Sequence, residues 1–293
     1  AVRSSSLSQV TITNCNIVMG NLTSAEAYRW AIHAFNLQNS TISHNLINIS
    51  ENDGIYISAT SNGTVVKNNI VYTNVSSAIV VDSPQVAVTN NTFHGGTGIY
   101  LTANHTAVNN NTITVDNAGS PSGGIVLYYS SHNSVSNNRI TTLTGSSIHS
   151  SHSYYLSFIN NTGINYDTTG FYAGLSLHTP HSIYINNTGK SNSSYGFNIN
   201  SHNGTYGSTT GITNTSTAIR LDGTNNTFSK TSAIGLQTGS YGIGFYGSNN
   251  TIQDCVNITG IANDIYTHFY SNLSNTFINC SYDDNEYFNG GSN

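Results

Sequence analysis

The chain has 293 residues, a formal net charge of -5 and only 6% charged residues, far below the roughly one quarter usual in soluble domains. Its 37% of hydrophobic residues is enough to build a core, which excludes a disordered chain. The 7 Lys and Arg (Arg3, Arg29, Lys67, Arg139, Lys190, Arg220, Lys230) are scattered singly, so no basic stripe binds nucleic acid, and no apolar run is long enough for membrane insertion.

In chain order, the first signal is Thr11-Ile12-Thr13-Asn14-Cys15, an alternating segment. Ser24 to Phe35 follows with helical spacing, and Ser24 is placed to cap a short helix carrying Ala25, Tyr28 and Ala31. From there one phrase returns: a small residue, an apolar residue, a spacer and a second apolar residue. It stands as Gly54-Ile55-Tyr56-Ile57, Ala78-Ile79-Val80-Val81, Gly98-Ile99-Tyr100-Leu101 and Gly124-Ile125-Val126-Leu127. It continues as Gly174-Leu175-Ser176-Leu177, Gly196-Phe197-Asn198-Ile199, Ala218-Ile219-Arg220-Leu221 and Gly242-Ile243-Gly244-Phe245, with Ser147-Ile148 and Asp264-Ile265 as degenerate copies.

A second phrase lies between these: an apolar residue, a spacer, an Asn pair and another apolar residue, as in Val66-Lys67-Asn68-Asn69-Ile70 and Val135-Ser136-Asn137-Asn138-Arg139-Ile140. Both phrases alternate apolar and polar residues and read as short strands with one face inward. A period of about 20 to 27 residues is one solenoid turn. Coils stacked in register repeat each strand about 4.8 Å away, so identical residues form ladders. An Asn column at a bend then satisfies its amide against the next coil. The small residue before each Ile lets the chain turn tightly. The expected fold is all-β: a single right-handed parallel β-helix (β-solenoid) of about 11–12 coils over residues 1–280, with 281–293 as a C-terminal tail or cap.

These phrases resemble the Asn-rich branch of the right-handed parallel β-helix repeat family, from about residue 8 to 280. That superfamily is shared with pectate lyases, polygalacturonases, phage tailspikes and periplasmic copper-processing proteins. The resemblance specifies the fold. It leaves function open, because the superfamily hosts lyases, hydrolases, adhesins and inert scaffolds. The Asn-, Thr- and Tyr-rich composition also resembles archaeal cell-surface β-helix proteins.

Hydrolysis needs two acids roughly 5 to 10 Å apart, and the resemblance implies that a lyase would use clustered calcium-binding acids with an Arg or Lys base. Asp82 and Asp222 share a column about six coils apart, near 29 Å. Glu51 and Asp53 read as turn residues, Asp116 and Asp167 fall in separate turns, and Asp254 and Asp264 fall on different sides of one coil. No catalytic residue and no cofactor are expected. His105, His132, His152, His181 and His202 follow the first phrase in one column and are weak candidates for a transition-metal site, set against a polar turn ladder in which His replaces Asn. Tyr56, Tyr72, Tyr100, Tyr128, Tyr129, Tyr154 and Tyr155 offer faces for stacking on sugars.

Thr251 to Cys255, Thr276 to Cys280 and Thr11 to Cys15 align without a gap, so the three cysteines occupy one column. Cys255 and Cys280 are one coil apart, within disulfide range; a Cys15 to Cys280 bond between copies competes with that pairing. The 18 Asn-x-Ser/Thr sequons, among them Asn21, Asn39, Asn62, Asn104, Asn192, Asn214 and Asn272, imply export and covalent N-glycans. The start at Ala1 fits a mature secreted chain. Low charge, poor caps and a leftover cysteine together lead to the expectation of a non-catalytic structural subunit of an extracellular coat, self-assembling as a homopolymer, possibly head to tail. The alternative is a carbohydrate-binding or carbohydrate-cleaving β-helix; a metal-handling protein built on the His column ranks third.

Overall fold

The computed structural model describes residues 2–20, 30–116, 123–170, 172–267, 274–282 and 286–288. Three parallel sheets of 13, 12 and 11 strands wind into a right-handed β-solenoid, with no helix among the described residues. Each coil gives one strand to each sheet in turn. Ile55–Ile57, Val65–Lys67 and Ile70–Thr73 therefore pair with Ser77–Val81, Ala87–Thr89 and Thr92–Gly95 of the next coil.

The register holds the repeated phrase in line. In the first sheet Ile55, Ile79, Ile99, Ile125 and Ile148 share one inward column, continued by Leu175, Phe197, Ile219, Ile243 and Ile265. All are buried, and each such side chain contributes about 1.5–3 kcal/mol by leaving water. In the second sheet Phe158, Tyr184, Tyr206 and Phe228 stack inside the rod, with centroids 5.0, 4.5 and 4.3 Å apart. The hydroxyls of Tyr184 and Tyr206 reach Thr179 and Ser201, so neither buried phenol lacks a partner.

The Asn pair divides its work. The first member of each pair (Asn68, Asn90, Asn110, Asn137, Asn160, Asn186) adopts a left-handed conformation at the bend between the second and third sheets, which Asn tolerates better than most residues. The second member turns inward. Asn45, Asn69, Asn91, Asn111, Asn138, Asn161 and Asn187 are all buried, and the Nδ2 of each of the first six donates to the Oδ1 of the next at 2.9–3.1 Å. That same oxygen accepts the preceding Asn backbone N–H, as Asn111 does from Asn91 at 3.0 Å. One side chain thus ties its neighbours together and leaves little buried amide unpaired.

Two sequence expectations change. The small residue of the first phrase is required by close approach rather than by a tight turn: a Cβ on Gly54 would lie 2.4 Å from Val71 Cγ1, and one on Gly98 2.4 Å from Ile113 Cγ2. The expected helix is not formed where the chain is described, because Ile32–Gln38 is a first-sheet strand paired with Ile55–Ile57; Ser24 to Arg29 lies outside the described residues. Within the segment assigned to a tail or cap, Glu286–Phe288 pairs with the strand Asn263–Thr267 of the first sheet.

Candidate functional site

The spacer of the first phrase is the residue that faces out from the first sheet. Pairing therefore sets His33, Tyr56, Tyr100, His149, Asn198 and Arg220 in one outward column. Two residues further along lies a second column with Asp82, Thr102, Ser151, His178, Asn200, Asp222 and Tyr246. Two clusters of interacting polar and aromatic groups lie on this face.

Trp30, His33, Tyr56, Asp53 and Asp82 make the first cluster. The Trp30 ring stacks on Tyr56, with centroids 4.6 Å apart and planes 12° from parallel, and tilts against His33 at 4.3 Å. The Tyr56 hydroxyl donates to Asp82 Oδ2 at 2.7 Å and the Thr102 hydroxyl to Asp82 Oδ1 at 2.6 Å. Burial and the bond to Asp82 push the Tyr56 phenol up to about 12. Asp53 accepts the Ser77 N–H at 3.0 Å and the Trp30 indole N–H. Burial nevertheless raises its carboxyl above the usual carboxylate range.

The second cluster centres on Arg220. Its Nε donates to both oxygens of Asp222 at 2.9 and 3.0 Å, and Nη1 donates to the Tyr195 hydroxyl at 2.7 Å. Its guanidinium carbon lies 4.2 Å from the Tyr246 ring centroid, a cation–π contact. Burial opposes the charge, but the bonds to Asp222 and Tyr195 outweigh it and hold the pKa above the ordinary arginine value. Beside this cluster, His149 and His178 meet at 5.9 Å between centroids. Burial, then the charge of His178, lowers His149 to about 4. Burial also lowers His178, against the pull of Asp222. His178 Nε2 and Asn198 Oδ1 are buried and have no hydrogen-bond partner.

The sequence-derived site residues disperse. His105, His132 and His181 stack in one column with Tyr155 completing it, at 5.1, 5.2 and 5.3 Å between successive centroids. His152 lies three residues earlier in its coil than Tyr155 and stacks on Tyr129 at 4.7 Å. His202 precedes the left-handed position that Asn203 fills, and its Nδ1 meets Thr224 Oγ1 at 2.9 Å. Among the described residues no three His, Cys, Asp or Glu side chains gather to hold a metal ion. Of the candidate tyrosines, Tyr56 and Tyr100 share the first-sheet column, whereas Tyr72 lies on the third sheet, stacked on His94 at 4.9 Å.

Cys255 and Cys280 are bonded, with Cα atoms 4.7 Å apart, and Cys15 is free. A Cys15 to Cys280 joint between copies would require that bond to exchange. Asn39, Asn62 and Asn104 are exposed, Asn192 and Asn214 are half-buried and bonded to each other at 2.6 Å, and Asn21 and Asn272 lie outside the described residues.

The face was only partly visible in the sequence. Asp53 was assigned to a turn, and the Arg220–Asp222 pair was missed because it joins two residues of one coil, not of two coils. The available signal was the spacer itself: Tyr, His, Asn and Arg where neighbouring copies hold Val or Gly.

The family model described as a right-handed beta helix region matches residues 1–113. No curated protein matches the sequence. Among solved structures, the chain is similar to full-length tailspike protein 2 of Escherichia coli O157:H7 bacteriophage CAB120, at 12% identity and a TM-score of 0.56, covering 94% of this chain and 42% of that one. The enzymatically active domain of tailspike protein 2 of bacteriophage CBA120 gives 11% identity, a TM-score of 0.48 and coverage of 93% and 43%. An alginate lyase from Paenibacillus sp. str. FPU-7 gives 11%, 0.38, and coverage of 83% and 93%. The chain spans less than half the length of either tailspike protein. Tailspike-like architecture, together with an outer face of bonded carboxylates, imidazoles and aromatic rings, overturns the expectation of a structural coat subunit. The chain is a right-handed parallel β-helix, similar over its first 113 residues to the right-handed beta helix region family.

Proposed function

We propose that this protein is a carbohydrate-binding β-helix, secreted and N-glycosylated, whose ligand lies on the outer face of the first sheet. The observation that carries this reading is the composition of that face. Aromatic platforms at Trp30–Tyr56 and Tyr246 sit among hydroxyl-bonded carboxylates and the unpartnered His178 Nε2 and Asn198 Oδ1. Pyranose rings have apolar faces that suit aromatic surfaces and hydroxyls that satisfy such buried polar atoms. The likeness in fold to a bacteriophage tailspike protein supports this reading.

A cleaving version of the same reading rests on Asp53 and Asp82. The charges of both act on the Tyr56 phenol, and that of Asp82 acts on Asp53. Burial favours the protonated form of Asp53, whereas Asp82 accepts two hydroxyl donors. Such a division matches the acid and base of a glycoside hydrolase.

A glycan array followed by titration calorimetry tests the proposal. Trp30→Ala and Tyr246→Ala should each weaken the best ligand about tenfold, since an aromatic contact is worth roughly 1 kcal/mol or more. Product release abolished by Asp53→Asn would extend binding to cleavage. An array without binders, or affinity untouched in both aromatic variants with their circular dichroism unchanged, rejects the reading.

A further inference from the structure

We infer that the second cluster is a subsite for an acidic sugar residue, whose carboxylate or sulfate is taken by the open edge of the Arg220 guanidinium; this deepens, and rests on, the carbohydrate-binding reading above. A guanidinium carries five N–H donors and no acceptor. Asp222 occupies the Nε–H of Arg220 with both of its oxygens, and the Tyr195 hydroxyl occupies one N–H on Nη1. The second N–H on Nη1 and both on Nη2 have no partner among the described residues.

The free donors are both fixed and reachable. Asp222 and Tyr195 set the guanidinium in its plane, and the plane rests on Tyr246, whose ring centroid is 4.2 Å from the guanidinium carbon. The side chain stays 27% exposed, and Nη2 is not one of the buried polar atoms. A clamp between coils accounts only for the donors already used. A fork held in place, with its outer edge open, loses little freedom on closing over a carboxylate or sulfate, and such charge-assisted bonds are about twice as strong as those to a neutral hydroxyl.

The surroundings suit an anion at that edge. Asp222 grips Nε, so an oxyanion on Nη2 lies nearer the guanidinium than it does Asp222, and attraction exceeds repulsion at any one dielectric. Asp53 and Asp82 belong to coils about 29 Å or more away along the rod, beyond the Debye length of about 8 Å. Gly244, next in the outward column, adds no side chain to take up the free donors. On the other side Asn198 precedes Arg220 in its column, and His178 lies one coil before Asn198 in the second column. Their unpartnered Oδ1 and Nε2 are placed for the hydroxyls of the same sugar: a hydroxyl donates to the amide oxygen and meets a neutral imidazole in either role.

The test is affinity electrophoresis of the full chain, with EDTA present, in gels holding a neutral polymer (dextran, mannan, galactan or β-glucan), a carboxylated one (polygalacturonate, alginate or hyaluronan) or a sulfated one (dextran sulfate or carrageenan). The chain's own net charge of -5 disfavours unspecific retention by an acidic polymer. An acidic polymer should bind at least about tenfold more tightly than every neutral one, and its class names the oxyanion. Arg220→Lys keeps the charge but loses the fork, and should cancel the preference with circular dichroism unchanged. Asp222→Asn removes the competing charge and should strengthen acidic binding about threefold or more; it decides alone should R220K fail to fold. Neutral polymers bound as tightly as acidic ones, a preference that a folded R220K retains, or no gain in D222N overturns this inference and leaves carbohydrate binding standing. Retention by no polymer overturns both.

Discussion

Removing one amide from the buried Asn ladder should cost far more than its surface area suggests, and Asn111→Ala measures that cost. The Asn111 Oδ1 accepts from the Asn91 N–H at 3.0 Å and from Asn91 Nδ2 at 3.1 Å, while its Nδ2 donates to Val88 O and Asn138 Oδ1, both at 3.0 Å. Truncation leaves Asn91 Nδ2 with Val66 O and Thr89 O, and Asn138 Oδ1 with the Asn111 N–H. The Asn91 N–H, however, loses its acceptor in a site only 1% exposed. An orphaned buried donor costs about 1–3 kcal/mol, and the two lost donor bonds add about 1 kcal/mol each. The expected loss is therefore about 3–5 kcal/mol. Because long repeat arrays need not unfold in one step, the assay pairs urea denaturation with amide hydrogen exchange. Protection should fall most in Thr89–Asn91 and in the adjoining coils. A change below about 1 kcal/mol with unaltered exchange at Asn91 would refute the claim that the ladder stabilises the rod.

Two further outcomes follow from the same accounting. The ladder ends beyond Asn187, where Thr209 and Thr231 fill the column with buried hydroxyls that have no partner; T209N/T231N should extend it and raise the urea midpoint, by about 1 kcal/mol per restored bond, and a lower midpoint would contradict this. Burial lowers His149 from 6.5 to about 4, with His178 as its charged-form neighbour. The unfolded chain takes the proton first, so the stability of the neutral form is complete above pH 6.5 and is lost as pH falls towards 4, by up to about 3 kcal/mol. His149→Asn should flatten that part of the stability profile, and an identical acid slope in both proteins would remove His149 as its cause.

The fold was legible because every level of the sequence says the same thing. The Gly-Ile phrase, the Asn pair and the shared column of Cys15, Cys255 and Cys280 all repeat with the period of one coil, and stacking converts that period directly into the contacts of the core. The helix expectation failed for the converse reason. Ala31 and Phe35 fit a helical stripe in isolation, but Ile32, Ala34 and Leu37 are buried along a strand whose edge is fixed by Ile55–Ile57. Local spacing yielded to pairing with the next coil. The His column was nearly right for the same structural cause: left-handed positions recur at that bend, His105, His132 and His181 fill three of them, and the one-residue offset of His202 takes it out of line.

The candidate site was hard to read because the residues that repeat are those that hold the rod together. Asn recurs where a buried amide must bridge coils, and Ile recurs where the core must be filled; neither tells what the surface recognises. Information about a ligand resides in positions that stacking leaves free, namely the outward spacers of the first sheet. There the ladder rule breaks down: Arg220 stands between Asn198 and Gly244, and Tyr56 between His33 and Val80. Such departures need compensation from neighbours that are distant in sequence. Arg220 finds it in Tyr195 and Tyr246, at separations of 25 and 26 residues, and Tyr56 in Asp82, 26 residues on. A solenoid brings one coil's length of sequence into contact at every position, so the partners of a functional side chain lie one coil away on either side of it. Searching each spacer against the residues one period before and after it would have joined Asp82 to Tyr56, and Tyr195 and Tyr246 to Arg220, from the sequence.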